Sequence, residues 1–239
     1  MESLTRAGPT LAAPASHRST VVRVAGAFAF RFACFGAMIW MALLAEARPA
    51  PSLPDAVLAQ IPYVEWVDRY NYVVWLLAYV PVGLAFLRTD VPRFCRYMVS
   101  AGLLALVRGL CILATGLGPV HGADINAGMD AVTRWRAFWQ IVSPIGVFAR
   151  GSANVYLTKD LFFSGHVSTT VLMMLYVWPY RRLRVAMGVG HVVVLATVFL
   201  AHLHYTIDVV GAYAIAFTLY CLRELNLPQV LAGTEPSGP

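Results

Sequence analysis

Two short stretches hold residue types that can do chemistry: Ser164-Gly165-His166, and the run HLHYTID from His202 to Asp208. Each borders a long apolar segment. An ionisable side chain costs about 2.5–3.5 kcal/mol at the centre of a membrane helix even on the gentler insertion scale, so its presence calls for a reason. Two histidines and an aspartate can supply a nucleophile, an orienting carboxylate and a proton donor, a set that suits phosphoryl transfer on a lipid head group. His204 and Asp208 are four apart, so on a helix they share one face about one turn apart. An aspartate there accepts a hydrogen bond from one ring nitrogen, fixes the tautomer and leaves the other nitrogen to attack. The plainer reading is an Asp–His pair that tethers two helices. Ser164-Gly165 form a small, flexible turn before a helix start, where unpaired amides attract anions such as phosphate, and Ser164 adds a hydroxyl donor. His166 could then protonate a leaving alkoxide.

Arg108 is an arginine within the otherwise apolar run LVRGLCILATGLGP. It either grips a phosphate bidentately or pairs with a neighbouring carboxylate. Lys159 and Asp160 immediately precede SGH and either position a substrate or are solvated loop charges. His191, midway along an apolar segment, reads as a packed polar residue, and His202 faces elsewhere on a helix than His204. Together His166, His202, His204 and Asp208 could ligate zinc, but the preferred expectation has no metal and no cofactor. His121 and His17 lie in loops and carry no argument.

These residues need elements to hold them. Of 239 residues, 59% are hydrophobic and only 13% charged, and mean hydropathy is +0.66. A soluble domain carries about 25% charged residues, so the chain reads as an all-α, integral membrane protein. Six apolar segments, at 24–45, 71–87, 97–117, 161–179, 185–203 and 205–222, are each near the length a spanning helix needs. Residues 1–20 read as a disordered tail, 21–225 as one membrane domain and 226–239 as a second loose tail. Ala45-Glu46-Ala47 resembles a signal-peptidase site, but the basic leader is long and Arg31 interrupts the apolar run, so the first segment is read as a retained helix. The four cysteines, Cys34, Cys95, Cys111 and Cys221, lie in or beside apolar segments without CxxC spacing and read as packing residues. The net charge of +6 comes almost wholly from arginine in short loops, with no basic face interleaved with aromatics, so nucleic acid is not an expected partner. The segment 118–160, with Trp135, Phe138, Trp139 and Phe148 beside Arg134 and Arg136, suits a stretch lying on the membrane surface, to gate lipid access or only to anchor.

Loop charge sets the topology. With the N-terminus inside, 11 of the 18 basic residues fall inside and 6 outside, with Arg108 within a span; the RRLR turn at 181–184 points most strongly to the cytoplasm. Both termini are then cytoplasmic, and His166, His204, Asp208 and Arg108 all fall near the outer leaflet. The motifs had no part in that count, so their convergence on one side is a separate test.

Four stretches together resemble the sphingomyelin synthase-like branch of the type 2 phosphatidic acid phosphatase superfamily. PSLPD at 51–55 looks like its PLPD motif, VRGLCILATGLGP at 107–119 like its arginine-containing third-span motif, KDLFFSGHVSTT at 159–170 like its GD…SGHT motif, and HYTIDVVGAY at 204–213 like its HYT-DV motif. They occur in the expected order over residues 50–222. The resemblance implies a six-span bundle with an outward-facing site. His204 would form a phosphohistidine, Asp208 would orient it and His166 would act as acid and base, moving a phospho-head group from a phospholipid to ceramide or diacylglycerol. Arg108, Asp160, Ser164, Gly165 and Tyr205 are the residues expected around the substrate. The phosphatases' first motif is missing, their SR pair is here Thr197-Val198, the CGD before SGH is Thr158-Lys159-Asp160, and SGHT is SGHV. The first two departures favour the synthase-like branch over a phosphatase of phosphatidic acid or a polyprenyl diphosphate. A non-catalytic transporter or scaffold is the reading from outside enzymes. Arg-rich, Lys-poor usage suggests a bacterial inner membrane with the site facing the periplasm. The sequence carries no signal of oligomeric state.

Overall fold

The computed structural model describes residues 17–143 and 157–225. Among these the chain is all-helical: α1 His17–Glu46, α2 Glu65–Thr89, α3 Val91–Ala114, α4 Ala131–Val142, α5 Gly165–Tyr176, α6 Arg181–Leu200 and α7 Thr206–Glu224, with a short 3-10 turn at Leu58–Gln60. Five of them, α1, α2, α3, α6 and α7, are long and apolar enough to cross a membrane. This is an integral, multi-pass membrane architecture. The expected tails lie outside the described residues, except that 17–20 already belong to α1.

The fourth expected span differs from the rest. Its helix, α5, has 12 residues, or about 18 Å, well short of a roughly 30 Å hydrocarbon core. It needs less because it is the axis of the bundle, packed against α7, α6 and α3. Val167, Leu172, Met173 and Tyr176 are buried together with Tyr97, Phe86, Val194 and Ala212 from the surrounding helices. The longer helices carry the lipid-facing surface, α2 most of all, with Leu77 and Leu84 among its exposed residues.

Helix directions alternate so that all the motifs meet at one end. The opposite end is fastened by polar contacts at the helix junctions. Asp90 accepts from the Arg93 amide at 2.9 Å as the N-cap of α3 and from the Tyr180 hydroxyl at 2.6 Å. Burial raises the Asp90 carboxyl, but these donors outweigh it and hold it below its usual range. Glu224 accepts from Tyr176 at 2.6 Å and pairs with Arg96 at 3.2 Å.

The segment carrying Trp135 forms α4, which packs on α1. Trp135 and Phe138 both pack against Trp40, and Phe138 also reaches Gly36. Ala137 is buried with Met38, Leu43, Ala105 and Ile112. The apolar inner face of α4 is buried against α1 and α3. Phe148 and Arg150 lie outside the described residues.

Candidate active site

The start of α5 is built as an N-cap. Ser164 accepts the Val167 amide on its hydroxyl at 3.4 Å, and its own amide donates to the Asp208 carbonyl at 3.1 Å. That backbone bond ties the start of α5 to the start of α7. Gly165 is required by space: a Cβ there would come within 3.1 Å of Arg108 Cζ. The guanidinium therefore lies against the first turn of α5, and its charge adds to the positive end of the helix dipole.

The start of α7 is built differently, and here the sequence expectation needs correcting. His204 is not in the helix; it sits in the turn before Tyr205, which is the N-cap. Asp208, in the first turn, accepts the Tyr205 amide on Oδ2 at 2.9 Å, and the same oxygen lies 3.5 Å from His204 Nδ1. The carboxylate thus caps the helix and faces the imidazole with one atom. Among the described residues His204 Nδ1 and Asp208 Oδ1 have no hydrogen-bond partner, and His204 is 3% and Asp208 0% exposed. A 3.5 Å gap is an ion-pair distance rather than a hydrogen bond, and such catalytic contacts often tighten only when substrate is bound.

A loop clamps this turn from outside. The Tyr205 hydroxyl donates to the Gly118 carbonyl at 3.0 Å and accepts from the Leu53 amide at 3.0 Å. The hydroxyl thus anchors the turn to two loop backbone groups. Gly118 packs so tightly on residues 50–52 that a Cβ would lie 2.4 Å from the Ala50 carbonyl oxygen. Asp55 accepts from the Thr206 amide at 2.6 Å and from the Thr206 hydroxyl at 3.0 Å, as well as from the Val57 and Leu58 amides. Burial pushes its carboxyl up, but these donors prevail and hold it below the usual aspartate range. Three of the four resembling stretches, PSLPD, GLGP and HYTID, are in this way one interlocked structure.

Arg108 donates Nε–H to the Phe163 carbonyl at 2.7 Å, pairs with Asp160 Oδ2 at 3.1 Å and hydrogen-bonds the Asp160 carbonyl. Of its two readings the carboxylate one is what the structure contains: Arg108 pairs with Asp160 and holds the loop that leads into SGH. Lys159 is neither a free positioning cation nor a solvated one. It is 4% exposed, with Nζ 2.6 Å from Asp124 Oδ1 and 2.7 Å from the Arg48 carbonyl. Glu46, from the suspected cleavage site, is fully buried and accepts from Asn126 at 2.8 Å, from Thr158 at 3.0 Å and from the Lys159 amide.

Sequence reasoning missed Glu46 and Asp55 as organisers of the site. The available signal was a carboxylate at the end of an apolar segment in one case and inside a quoted motif in the other. His191 is packed as expected, 2.8 Å from Thr170 Oγ1 and 2.5 Å from the Tyr213 hydroxyl. His202 is in a turn rather than a helix, with φ 47°, and donates to the Ile61 carbonyl at 2.9 Å. It lies beside Tyr63 and His121. Among the described residues the four-ligand set considered for zinc does not converge, nor does any group of three or more His, Cys, Asp or Glu side chains.

What does converge is the pair of imidazoles. The His166 and His204 rings are 6.4 Å apart between centroids, with Asp208 behind one and Arg108 beside the start of the other's helix. Phosphate-type chemistry has this class of geometry: a nucleophile and a proton carrier facing one another across a positively polarised helix start. Residues 159–225, which carry both histidines, match the family described as PAP2 superfamily, C-terminal. The chain is also similar to the human phosphatidylcholine:ceramide cholinephosphotransferase 1, 26% identical in an alignment of length 215 that covers 81% of this chain and 50% of that protein. The human phosphatidylcholine:ceramide cholinephosphotransferase 2 is 28% identical in an alignment of length 185 that covers 71% of this chain and 49% of its own length. The chain spans about half the length of the curated relatives it matches.

Proposed function

We propose that this protein is a membrane lipid phosphotransferase that moves a phospho-head group from a phospholipid to a lipid alcohol, ceramide or diacylglycerol, through a phosphohistidine on His204. The observation that carries this reading is the facing pair of imidazoles with Asp208 behind His204. Asp208 holds the proton on Nδ1, leaving Nε2 with its lone pair to attack phosphorus. The bond from phosphorus to the glyceride oxygen breaks, and His166 gives that oxygen its proton. In the second half His166 takes the proton from the acceptor hydroxyl, the new oxygen–phosphorus bond forms, and His204 is released. Both halves develop negative charge on the phosphoryl oxygens, beside the Arg108 guanidinium and the first-turn amides of α5.

The catalytic unit is residues 21–225. The motif end faces the outside of the cell, in a bacterium the periplasm, with both termini in the cytoplasm. Charge distribution supports this. Arg88, Arg93, Arg96, Arg181, Arg182, Arg184 and Arg223 all lie at the end opposite the motifs.

The test is transfer in lipid vesicles from a phospholipid labelled in its head group, with and without ceramide or diacylglycerol, for wild type and His204→Ala. Labelled lipid product that requires the acceptor and vanishes in the variant supports the transferase. Labelled, water-soluble phospho-head group released without acceptor makes water the acceptor and the protein a hydrolase of the same bond. Equal turnover in both proteins removes His204 from the chemistry.

A further inference from the structure

We infer that Trp75 is a positioning residue for His166, fixing the ring of the proton-carrying imidazole from the lipid-facing side; this rests on the acid–base role given to His166 above. Trp75 lies on α2, whose main partner is α6 rather than α5. Ala78 makes the close approach between α2 and α6, where a Cβ on Gly190 would lie 3.0 Å from the Ala78 Cβ. Trp75 points elsewhere. Its ring stands nearly perpendicular to that of His166, at 77° with centroids 5.8 Å apart. Its indole Nε1–H donates to Thr169 Oγ1 at 3.2 Å, and that hydroxyl donates to the Gly165 carbonyl at 2.7 Å. One side chain of α2 therefore touches the imidazole and also ties down the turn of α5 that bears it. The indole plane is itself fixed, stacked on Tyr79 at 4.9 Å and tilted against Tyr72 at 5.6 Å.

Among the described residues, groups near His166 and its helix start come from α2, α3, α7 and the α6–α7 turn. Trp75 of α2 is on one side and His204 of the α6–α7 turn on the other. Arg108 of α3 lies against Gly165, and Asp208 of α7 stands behind His204. Between two ring neighbours the imidazole loses the choice among staggered wells that a side chain at a helix start otherwise has. A general acid must come within about 2.6–3.2 Å of the oxygen it protonates, so a wrong rotamer removes leaving-group protonation while leaving the attack by His204 intact. Loss of Trp75 should therefore be felt in proportion to how much the leaving group needs a proton.

The test compares a phospholipid substrate with a p-nitrophenyl phosphodiester of the same head group, whose nitrophenolate leaves without protonation. Trp75→Leu is expected to lower kcat on the lipid by about 10- to 100-fold with little change in KM, and the burst of nitrophenolate by less than about threefold. Trp75→Phe, which keeps a ring, is expected to fall between Trp75→Leu and wild type on the lipid. Equal losses on the two substrates overturn the proposal, because Trp75 would then act through binding or folding. A second measurement does not depend on turnover. In protein carrying isotope-labelled histidine, the His166 ring resonance, identified by its loss in His166→Ala, is expected to move in Trp75→Leu and to stay close to wild type in Trp75→Phe. No movement in either variant overturns the proposal. Full turnover in His204→Ala would sink the transferase reading and leave the resonance test standing.

Discussion

The two histidines sit at the starts of two helices, yet the protein holds them in opposite ways. His166 is inside the first turn of α5, after its N-cap Ser164, and is steadied by ring contacts from a neighbouring helix. His204 is outside α7, before its N-cap, and depends on a carboxylate and a clamped loop. A proton carrier serves two oxygens in turn, so side-chain placement suffices for it. A nucleophile must meet phosphorus in line, and a misplacement of about 1 Å can cost on the order of a hundredfold in rate. In the proposed mechanism the more demanding role falls to the histidine with these anchors: Asp55 on Thr206, Tyr205 on two loops, and Asp208 on the Tyr205 amide.

The largest break in that comparison is His204→Ala. Transfer should fall by at least about 10⁴-fold, with no acid-labile, base-stable label retained on the protein. His166→Ala should cost about 10²–10⁴-fold on lipid substrates while label still forms on His204 from the p-nitrophenyl diester, which separates the two roles in one experiment. Asp208→Asn keeps an oxygen for the Tyr205 amide and removes the charge facing His204. The fold should hold, with an unchanged Tm, while transfer drops about 10²–10⁴-fold; an equally large fall in Tm would mean that capping, not orientation, is its main work.

Asp55→Ala should show the reverse balance. It leaves the Thr206 amide and hydroxyl unpaired at a half-buried site, a cost of about 1–3 kcal/mol. In a chain of this size that is a drop of several degrees in Tm, with activity falling about tenfold as the His204 turn loosens. The smallest effect concerns pH. Because the folded carboxyl of Asp55 is held below the usual aspartate range, its contribution is fully present above that range and is lost only as pH falls through the lower folded value. Wild type minus Asp55→Asn stability should thus be flat at neutral pH and shrink only in strong acid; a difference that fades near pH 6 would assign the effect to another group.

Much of this was legible in residue order. The all-helical membrane class followed from hydropathy, and the pairing of SGH with HYTID from types and spacing. Their meeting at one end followed from loop charge, which knows nothing of chemistry. Errors arose where a helix was extended through a residue on spacing alone. His202 and His204 read as helical because a four-residue interval fits α-geometry, but Asp208 caps the helix only if the chain turns before Tyr205. For α4 the sequence left the partner open. An amphipathic period shows that a face will be buried, without naming what buries it, and here the partners are α1 and α3.

By itself the sequence determined the solvent this protein lives in and the residue types available for chemistry, because each depends on composition and local order. Only the tertiary structure decided that Glu46 and Asp55 organise the site, that Tyr205 is an anchor and that Lys159 is buried in an ion pair. It also decided that an indole from α2 flanks His166. Those roles are set by which carbonyls, amides and rings arrive from segments dozens of residues away, and a hydrogen bond or ring contact exists only once both partners are in place.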